Sequence, residues 1–303
     1  MQLKGADDKQ PDIDALEAIL SRPDLHSRTR REVEDEIWNI RAGARAERDA
    51  AYEIEFHLGD SRNFVTIHDL RLEVDGHAAQ IDHLVISRLL EIWVCESKSF
   101  SHGVKVNEHG EWTTFVSGRP KGIPSPVEQN RRHIAVLERT LKSGYVEPPR
   151  RVGLALKPRF VNTVLISKHG SIGRPRKSLP DLEAVMKVDQ LRTRLLERDI
   201  PTRSMLKLIG QDTLESFGRQ LVALHTPHTK DWAARFGVAS APPTAEASEP
   251  ATPRRRGLRC ASCGESISYA VAKFCWVNKP RFGGLIYCMP CQQRVAPAQA
   301  SAR

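Results

Sequence analysis

The spacing of apolar residues along the chain predicts a helical segment followed by several strands. In residues 12–58 apolar side chains recur every three or four positions, which is the helical period. Gly43 interrupts that pattern, so we expect a helix to restart near Ala44 and to end at Leu58. Three β-type runs follow, NFVTIHDLRLEV, AAQIDHLVIS and LLEIWVCESKSF, with turns predicted at 75–76 and 87–88.

The second half of the pattern alternates strands with helices. The predicted elements are a strand in EWTTFVSG, a helix in SPVEQNRRHIAVLERTLKS, a strand buried on both faces in FVNTVLIS, and a further strand and helices in AVMKVDQLRTRLLERDI and DTLESFGRQLVALH. Ser125 is a good N-cap for the first of these helices, with Pro126 at its first position. This order predicts an α/β fold in which a mixed β-sheet is flanked by helices.

Composition divides the chain into segments. Residues 238–257 are rich in Pro, Ala and Ser and have no periodicity, so we interpret them as a flexible linker. The predicted segments are an N-terminal helical extension (1–41), a core (42–145), an α/β continuation of that core (146–237), the linker (238–257), a cysteine-containing module (258–294) and a disordered tail (295–303).

Charge is concentrated near the C-terminus. Residues 254–303 hold nine of the 46 Lys and Arg residues but one of the 37 Asp and Glu residues, so +8 of the net charge of +9 lies there. Such a cationic module favours a polyanionic partner such as nucleic acid. No apolar run reaches the roughly 18 residues that span a bilayer, and the N-terminus lacks a signal-peptide pattern, so we expect a cytoplasmic protein without membrane contact.

Three charged residues fall inside apolar strand sequence. Side chains alternate along a strand, so Glu96 and Lys98 share one face. If the two strands on either side of the predicted turn at 87–88 pair, their far ends meet and Asp82 lies beside Glu96. Two adjacent carboxylates repel unless a cation lies between them, and Mg²⁺ or Mn²⁺ is the usual partner for oxygen ligands. His83 should face the opposite side and pack there, while Cys95 and Trp112 are expected in the core.

This set of residues suits phosphodiester hydrolysis, although a structural interpretation remains. A divalent ion acidifies water and polarises the P–O bond, and a neighbouring lysine orients the nucleophile and stabilises charge on the phosphate. Alternatively, Glu96 and Lys98 form an ion pair on the strand surface and Asp82 is a solvated acid near a turn. The apolar flanks on both sides of these charges favour the first interpretation.

The motifs around this cluster resemble those of the nuclease-related domain (NERD) family, a branch of the PD-(D/E)XK nucleases. The matching segments are GARAE (43–47), QIDHLVIS (80–87), ESK (96–98), GEW (110–112) and PVEQN (126–130), in the family's order over about residues 42–145. The resemblance implies a restriction-endonuclease-like core. It also implies Asp82 and Glu96 as metal ligands, Lys98 as the catalytic lysine, Glu47 as an additional acid and Gln129 as a helix residue facing the site.

The cysteine module has the spacing of a zinc site. CASC at 260–263 and CMPC at 288–291 supply two pairs, Cys260 with Cys263 and Cys288 with Cys291, which together make a tetrahedral S₄ shell. Cys275 is a fifth candidate that could replace one ligand. A module of some 40 residues has too little core to fold without the ion.

The module also carries the residues expected to contact nucleic acid. The candidates are Arg254, Arg255, Arg256, Arg259, Lys273, Trp276, Lys279 and Arg281. Cations hold phosphates and aromatic rings stack on exposed bases, and we expect Trp276 or Phe282 to be exposed for this purpose. The alternative is a zinc site that only stabilises the module.

Three functions therefore remain from the sequence. The leading one is a Mg²⁺- or Mn²⁺-dependent endodeoxyribonuclease that the tethered zinc module targets to DNA, with RNA as the alternative nucleic acid. The second is a non-catalytic nucleic-acid-binding protein of DNA repair, plasmid maintenance or defence that keeps the nuclease fold as a platform. The third is a basic tail that binds an acidic protein. The oligomeric state does not follow from the sequence.

Overall fold

The chain forms two compact units, residues 1–240 and 241–303. The computed structural model describes residues 1–100, 103–116, 118–196, 206–227, 229–238 and 258–295. Residues 239–257 of the predicted linker and residues 296–303 of the predicted tail lie outside these described residues. The linker and the tail therefore stay predictions.

The larger unit combines a long N-terminal helix with a central sheet. Its strands are β1 (Gln2–Lys4), β2 (Phe64–Val74), β3 (His77–Ser87), β4 (Glu91–Lys98), β5 (Val104–Val106), β6 (Trp112–Val116), β7 (Arg119–Ile123), β8 (Arg150–Arg151), β9 (Leu154–Ala155), β10 (Arg159–Ile166), β11 (Ile172–Gly173) and β12 (Val185–Lys187). Its α-helices are α1 (Gln10–Leu20), α2 (Ser27–Leu58), α3 (Pro126–Lys142), α4 (Leu191–Leu196), α5 (Gln211–Ala223) and α6 (Trp232–Arg235), with short 3₁₀ helices at Pro180–Ala184 and Val188–Gln190.

The central sheet is mixed, as the sequence predicts. Its strand order is β1-β2-β3-β4-β10-β12. The pairs β2–β3 and β3–β4 are antiparallel, whereas β1–β2, β4–β10 and β10–β12 are parallel. Asp75 and Gly76 form the predicted two-residue turn, with φ of 49° and 72°. The second turn lies at 88–90, slightly later than predicted, with Leu90 at φ 57°.

Helices cover both faces of this sheet. Ala50, Ile54 and Leu58 of α2 pack on Val85 and Trp93 at one face. On the other face, α3 and α5 pack against the alternate side chains of β2, β3 and β4. Strands buried on both faces explain why their sequences are almost continuously apolar.

The long helix α2 corrects one expectation, because it continues through Gly43 without a break. It runs 32 residues from Ser27 to Leu58, and His26 caps it by accepting a hydrogen bond from the amide of Arg28 at 3.2 Å. Helical glycine costs about 1 kcal/mol relative to alanine. Burial of Val33 on one side of Gly43 and Ile54 on the other offsets that cost. The helix therefore spans the predicted boundary between extension and core.

Helix α3 is fixed to the sheet by a buried asparagine. Ser125 caps its first turn, accepting from the Glu128 amide at 3.3 Å, as predicted. Asn130 is fully buried and its Nδ2 donates to the Val94 carbonyl at 2.6 Å and to the Thr163 carbonyl at 3.2 Å, with the Asn162 side chain also in reach at 2.9 Å. This side chain thus joins α3 to β4 and β10.

A small second sheet combines three strands that lie between β4 and α3 in the chain with β11, which follows β10. Its order is β11-β5-β6-β7, and only its strand β6 follows from the sequence pattern. Trp112 of β6 is 4% exposed and packs with Val104 and Val106, so the prediction that it lies in the core is confirmed.

The smaller unit has short helices around a cysteine-rich core. They are α7 (Tyr269–Val277), α8 (Lys279–Phe282) and α9 (Met289–Gln292). Its core includes Ile267, Ala272 and three of the cysteines. Phe282 is buried at 3% exposure and Trp276 is 37% exposed, so Trp276 is the exposed member of the pair named above.

Among the described residues, no helix combines the length and the apolar character needed to cross a bilayer.

Candidate active site

The ladder between β3 and β4 ends where the charged residues begin. Its last pair is His83 with Cys95. One residue further, Asp82 Oδ2 accepts hydrogen bonds from the Ser97 amide at 2.8 Å and from the Ser97 hydroxyl at 2.9 Å. The Asp82 carboxylate therefore takes the place of a backbone partner, and β4 continues past it toward Lys98.

The neighbouring strand is also irregular at this level. Asp69 of β2 has φ 54° and falls between the pairs His68–His83 and Leu70–Ile81. A positive φ in a non-glycine residue carries a conformational cost and here interrupts the β2–β3 ladder beside Asp82. Three strands thus lose regular pairing at one end of the sheet.

A cavity of about 810 Å³ at this end is lined by all five residues that the resemblance implies for catalysis. Asp82 comes from β3, Glu96 and Lys98 from β4, Glu47 from α2 and Gln129 from α3. Asp82 and Glu96 therefore share one hollow, which the antiparallel pairing of their strands predicts. Their roles in catalysis remain predictions.

Glu96 is the most enclosed of these residues. It is 2% exposed, its Oε1 lies 2.5 Å from Lys98 Nζ, and its Oε2 is buried without a hydrogen-bond partner. His133 Nδ1 lies 3.4 Å from Oε2. Burial lowers the His133 pKa to about 4, so the ring is neutral and this contact is not an ion pair. The Glu96–Lys98 pair exists, but on an enclosed carboxylate and not on an open strand surface.

The carboxylates are costly to ionise where they lie. Burial, followed by the charge of Asp82, raises the pKa of Glu96 to about 7, and hydrogen bonds from Lys98 and Gln129 oppose that rise. Burial and the same aspartate raise the pKa of Glu47 to about 8. Burial also raises the pKa of Asp82, against the Ser97 hydrogen bonds. Without a cation, this end of the sheet holds protons at neutral pH.

These residues fit a hard divalent cation. The buried Glu96 Oε2 has no hydrogen-bond partner, and such an atom is expensive unless something binds it. Among the described residues, one group of three or more His, Cys, Asp or Glu side chains has all its ligand atoms within 4.8 Å of one another, and it lies in the smaller unit. The ligand atoms of Glu47, Asp82 and Glu96 are therefore less tightly grouped. The pair Asp82 and Glu96, completed by water, suits Mg²⁺, which retains several waters.

A second polar cluster adjoins the site and was missed from the sequence. Asp69 Oδ2 accepts from Lys9 Nζ at 2.7 Å and from the Asp7 amide at 3.0 Å, and Gln80 donates to Oδ1. Gln80 also lines the cavity beside Glu47. The signal for Asp69 was present, because it is an acid inside an apolar strand like Asp82. Lys9 carried none, since only the fold brings it to the sheet.

The opposite face of the same strands holds a buried histidine pair. His83 is 1% exposed and its Nδ1 lies 2.9 Å from His68 Nδ1, while His68 Nε2 lies 2.9 Å from Glu55. His83 therefore packs away from the cavity, as expected, and Cys95 is fully buried on that face.

The four predicted zinc ligands come together in the smaller unit. The Sγ atoms of Cys260, Cys263, Cys288 and Cys291 all lie within 4.8 Å of one another, and this group can hold a metal ion such as zinc. The amide of Gly264 closes the first knuckle on the Cys260 carbonyl at 2.9 Å.

Cys275 lies outside that group. Its Sγ accepts hydrogen bonds from the Tyr287 amide and from Gln292 Nε2, both at 3.3 Å. The paired motifs, and not a substitution by Cys275, therefore form the candidate centre.

The smaller unit exposes most of the residues predicted to bind nucleic acid. Arg259, Lys273, Trp276, Lys279 and Arg281 all lie at its surface. Arg281 stacks over the ring of Phe282 at 5.1 Å. The predicted candidates Arg254, Arg255 and Arg256 lie outside the described residues.

Part of the chain matches a known protein family. Residues 42–166 match the family model described as the nuclease-related domain, NERD. The matched region begins inside α2 and ends with β10, so it contains all five residues that the resemblance implies for catalysis. It also extends beyond residues 42–145, the region over which the sequence motifs resemble the family. Searches of curated proteins and of solved structures gave no match.

Proposed function

We propose that this chain, which carries a nuclease-related domain, is a Mg²⁺- or Mn²⁺-dependent nuclease that hydrolyses phosphodiester bonds of DNA. The observation that carries the proposal is the single cavity lined by Asp82, Glu96 and Lys98, in which one oxygen of Glu96 is buried and unpartnered. A purely structural ion pair would have no use for that oxygen or for a hollow of this size.

Asp82 and Glu96 would hold the ion. When bound, it supplies an acidified water and a polarised phosphoryl oxygen, and it offsets the repulsion between the two carboxylates. The Ser97 amide and hydroxyl hold Asp82 in place, and Lys98 Nζ lies 2.5 Å from Glu96 Oε1, so both carboxylates are positioned by the fold.

Lys98 is the cation available to the substrate. Its ammonium lies 2.5 Å from Glu96 and is 31% exposed, so it faces both the carboxylate and the open cavity. From there it can stabilise the charge that develops on the phosphate and orient the attacking water. Glu47, with its pKa raised to about 8, can hold or accept a proton at the cavity wall.

The smaller unit is proposed to bind nucleic acid and to depend on zinc. Its exposed Lys and Arg residues supply phosphate contacts, and Trp276 supplies a ring at the surface. Four thiolates within 4.8 Å of one another need a cation between them, and an S₄ set is typical of structural zinc.

Cleavage of supercoiled plasmid tests the catalytic proposal. Purified full-length protein is exchanged into metal-free buffer and then given Mg²⁺ or Mn²⁺. Chelators are avoided because they would also strip the cysteine centre. We expect Lys98→Ala and Asp82→Asn to lower the rate at least about 100-fold, with plasmid binding retained. Lys142→Ala, an exposed α3 lysine paired with Glu138, is the matched control and should cleave normally.

A second candidate is a nucleic-acid-binding protein without turnover. The observation in its favour is the charge distribution, since residues 254–303 carry +8 of the +9 net charge. Salt-sensitive DNA binding with no nicking, linearisation or end-trimming under either metal would establish it. Cleavage that survives both Lys98→Ala and Asp82→Asn would remove the site proposed here.

A further inference from the structure

Helix α2 exposes three large aromatic side chains. Trp38 is 69% exposed, Tyr52 65% and Phe56 70%, although the adjacent Ile37 is 5% exposed. At 100° per residue, positions 38, 52 and 56 lie within about 40° of one direction. The helix thus buries an apolar face against the rest of the protein and exposes a row of aromatic side chains on its outer side. These residues, Trp38, Tyr52 and Phe56, are called the aromatic line, and the packing of the helix does not require them.

This aromatic line runs beside the candidate active site. Trp38 lines the cavity that holds the carboxylates, and Tyr52 lines a second cavity of about 150 Å³. The two cavities share four lining residues, Ala46, Asp49, Ser97 and Lys98. The two cavities therefore adjoin along α2, with Lys98 where they meet, and together they are called the groove along α2. Fourteen residues separate Trp38 from Tyr52, or about 21 Å of helix.

The cations along this groove are mostly paired. Arg41 binds Glu17 at 2.7 Å, and Lys168 binds Glu53 at 3.0 Å. Of the arginines that line the two cavities, Arg45 has no ion-pair partner among the described residues. A duplex presents mainly phosphates at its surface and needs a row of free cations. Exposed rings with few free cations instead suit unpaired bases, whose π-faces are open.

We propose that the groove along α2, with Trp38 and Tyr52 as stacking platforms on either side of Lys98, binds single-stranded DNA. The inference rests on the proposed function, and it assigns single strands or frayed ends as the substrate class. A strand held at both platforms passes Lys98 and the two carboxylates between them. Arg45, on the same side of α2, contributes one phosphate contact.

The loss expected from removing a platform follows from base stacking. Stacking of one base on one aromatic side chain corresponds to roughly 5- to 100-fold in affinity. Trp38→Ala and Tyr52→Ala should each weaken binding of a single strand within that range, whereas Trp38→Phe keeps a ring and should weaken it less. Tyr145→Ala is the matched control, because Tyr145 is 63% exposed and lines neither cavity.

Two measurements that need no turnover test the proposal. Full-length protein in metal-free buffer at raised salt is titrated with a fluorescein-labelled oligo(dT) and with a blunt duplex of equal length, followed by anisotropy. Separately, an oligonucleotide carrying 5-iododeoxyuridine is photo-cross-linked and the labelled peptides are identified by mass spectrometry. We expect preference for the single strand, cross-links to the peptides that contain Trp38 and Tyr52, and a loss of affinity that is largest in the two alanine variants and absent in Tyr145→Ala.

Contrary outcomes are equally distinct. Equal binding of the duplex, unchanged affinity in both alanine variants, or cross-links only to peptides of residues 258–295 would overturn the inference. Binding and cross-linking as expected without any cleavage would overturn the proposed nuclease and leave the single-strand groove intact. Cleavage that depends on Lys98 but is unaffected by Trp38→Ala and Tyr52→Ala would overturn the single-strand groove and leave the proposed nuclease intact.

Discussion

Replacing Glu96 by glutamine should make the metal-free protein more stable at alkaline pH. The Glu96 carboxyl is 2% exposed and burial raises its pKa to about 7, so ionising it in the folded state is unfavourable. The amide has nearly the same shape and carries no charge. The substitution therefore removes a destabilising charge from the sheet at the expense of the proposed metal ligand.

The magnitude follows from the pKa. In the unfolded chain the carboxyl ionises near its ordinary value of 4.5, and in the folded protein near 7. The folded state holds the extra proton between those values, so this group's contribution to stability is complete below about 4.5 and is lost as pH rises through 7. Linkage gives a change of about 2–3 kcal/mol in the wild-type unfolding free energy, relative to the variant, between pH 5 and pH 8.

Thermal unfolding of both proteins in metal-free buffer measures this difference. For a unit of about 240 residues we expect the gap in Tm between Glu96→Gln and wild type to widen by about 5–10 °C from pH 5 to pH 8. Mg²⁺ at pH 8 should raise the wild-type Tm, because binding to the folded state stabilises it, and should leave the variant unchanged. The exposed Glu34→Gln serves as the control at every pH.

Two results would refute the reasoning. If the gap in Tm between the variant and wild type is the same at pH 5 and pH 8, Glu96 does not hold a raised pKa. If Mg²⁺ stabilises Glu96→Gln as much as wild type, Glu96 is not a ligand of the ion.

Further predictions concern the cysteine centre, the buried asparagine of α3 and the basic surface of the smaller unit. Cys288→Ser should remove one equivalent of bound zinc per chain, whereas Cys275→Ser should retain it; a colorimetric zinc assay separates the two, and equal zinc loss would contradict the assignment. Asn130→Ala should lower the unfolding free energy by about 2–3 kcal/mol, because two strand carbonyls lose their donor, and a loss below about 1 kcal/mol in urea unfolding would argue against that role. Lys273→Gln and Lys279→Gln should each reduce the salt slope of DNA binding by about one unit; unchanged slopes would exclude phosphate contacts there.

The fold was largely predictable because the central strands are buried on both faces. Their sequences are long, apolar and bounded by turn residues such as Asp75 and Gly76, so their positions and the mixed sheet follow from the pattern. The short strands were not predictable in this way. β1 has three residues, and its position depends on parallel pairing with β2 that local sequence does not encode. Continuity of α2 through Gly43 depends equally on tertiary packing at both ends of the helix.

The candidate site was predictable where charge interrupts apolar sequence. Asp82, Glu96 and Lys98 satisfy that criterion, and the antiparallel register brings the first two to one cavity. Asp69 satisfies it as well, but its partners, Lys9 and the Asp7 amide, come from a distant part of the chain, so the sequence does not indicate what it binds. The aromatic line on α2 carried no signal in the sequence, since Trp38 and Tyr52 have the spacing of core residues and only the structure shows that they face outward.

Stability and the proposed chemistry oppose each other at one end of this sheet, and the anchors around it reflect that opposition. The raised pKa values of Glu47 and Glu96 mean that ionising both carboxyls in the metal-free protein is unfavourable near neutral pH. Regular strand pairing would place apolar residues here and would avoid the buried charges. The β3–β4 ladder instead stops at His83, and the Asp82 carboxylate accepts the hydrogen bond of the Ser97 amide. Asn130 ties α3, which carries Gln129, to two strands, and Glu47 lies on α2, which is continuous through Gly43. A cation that binds Asp82 and Glu96 would offset their repulsion, so we expect the Glu96→Gln variant to lose metal binding and cleavage while its metal-free form becomes more stable at alkaline pH.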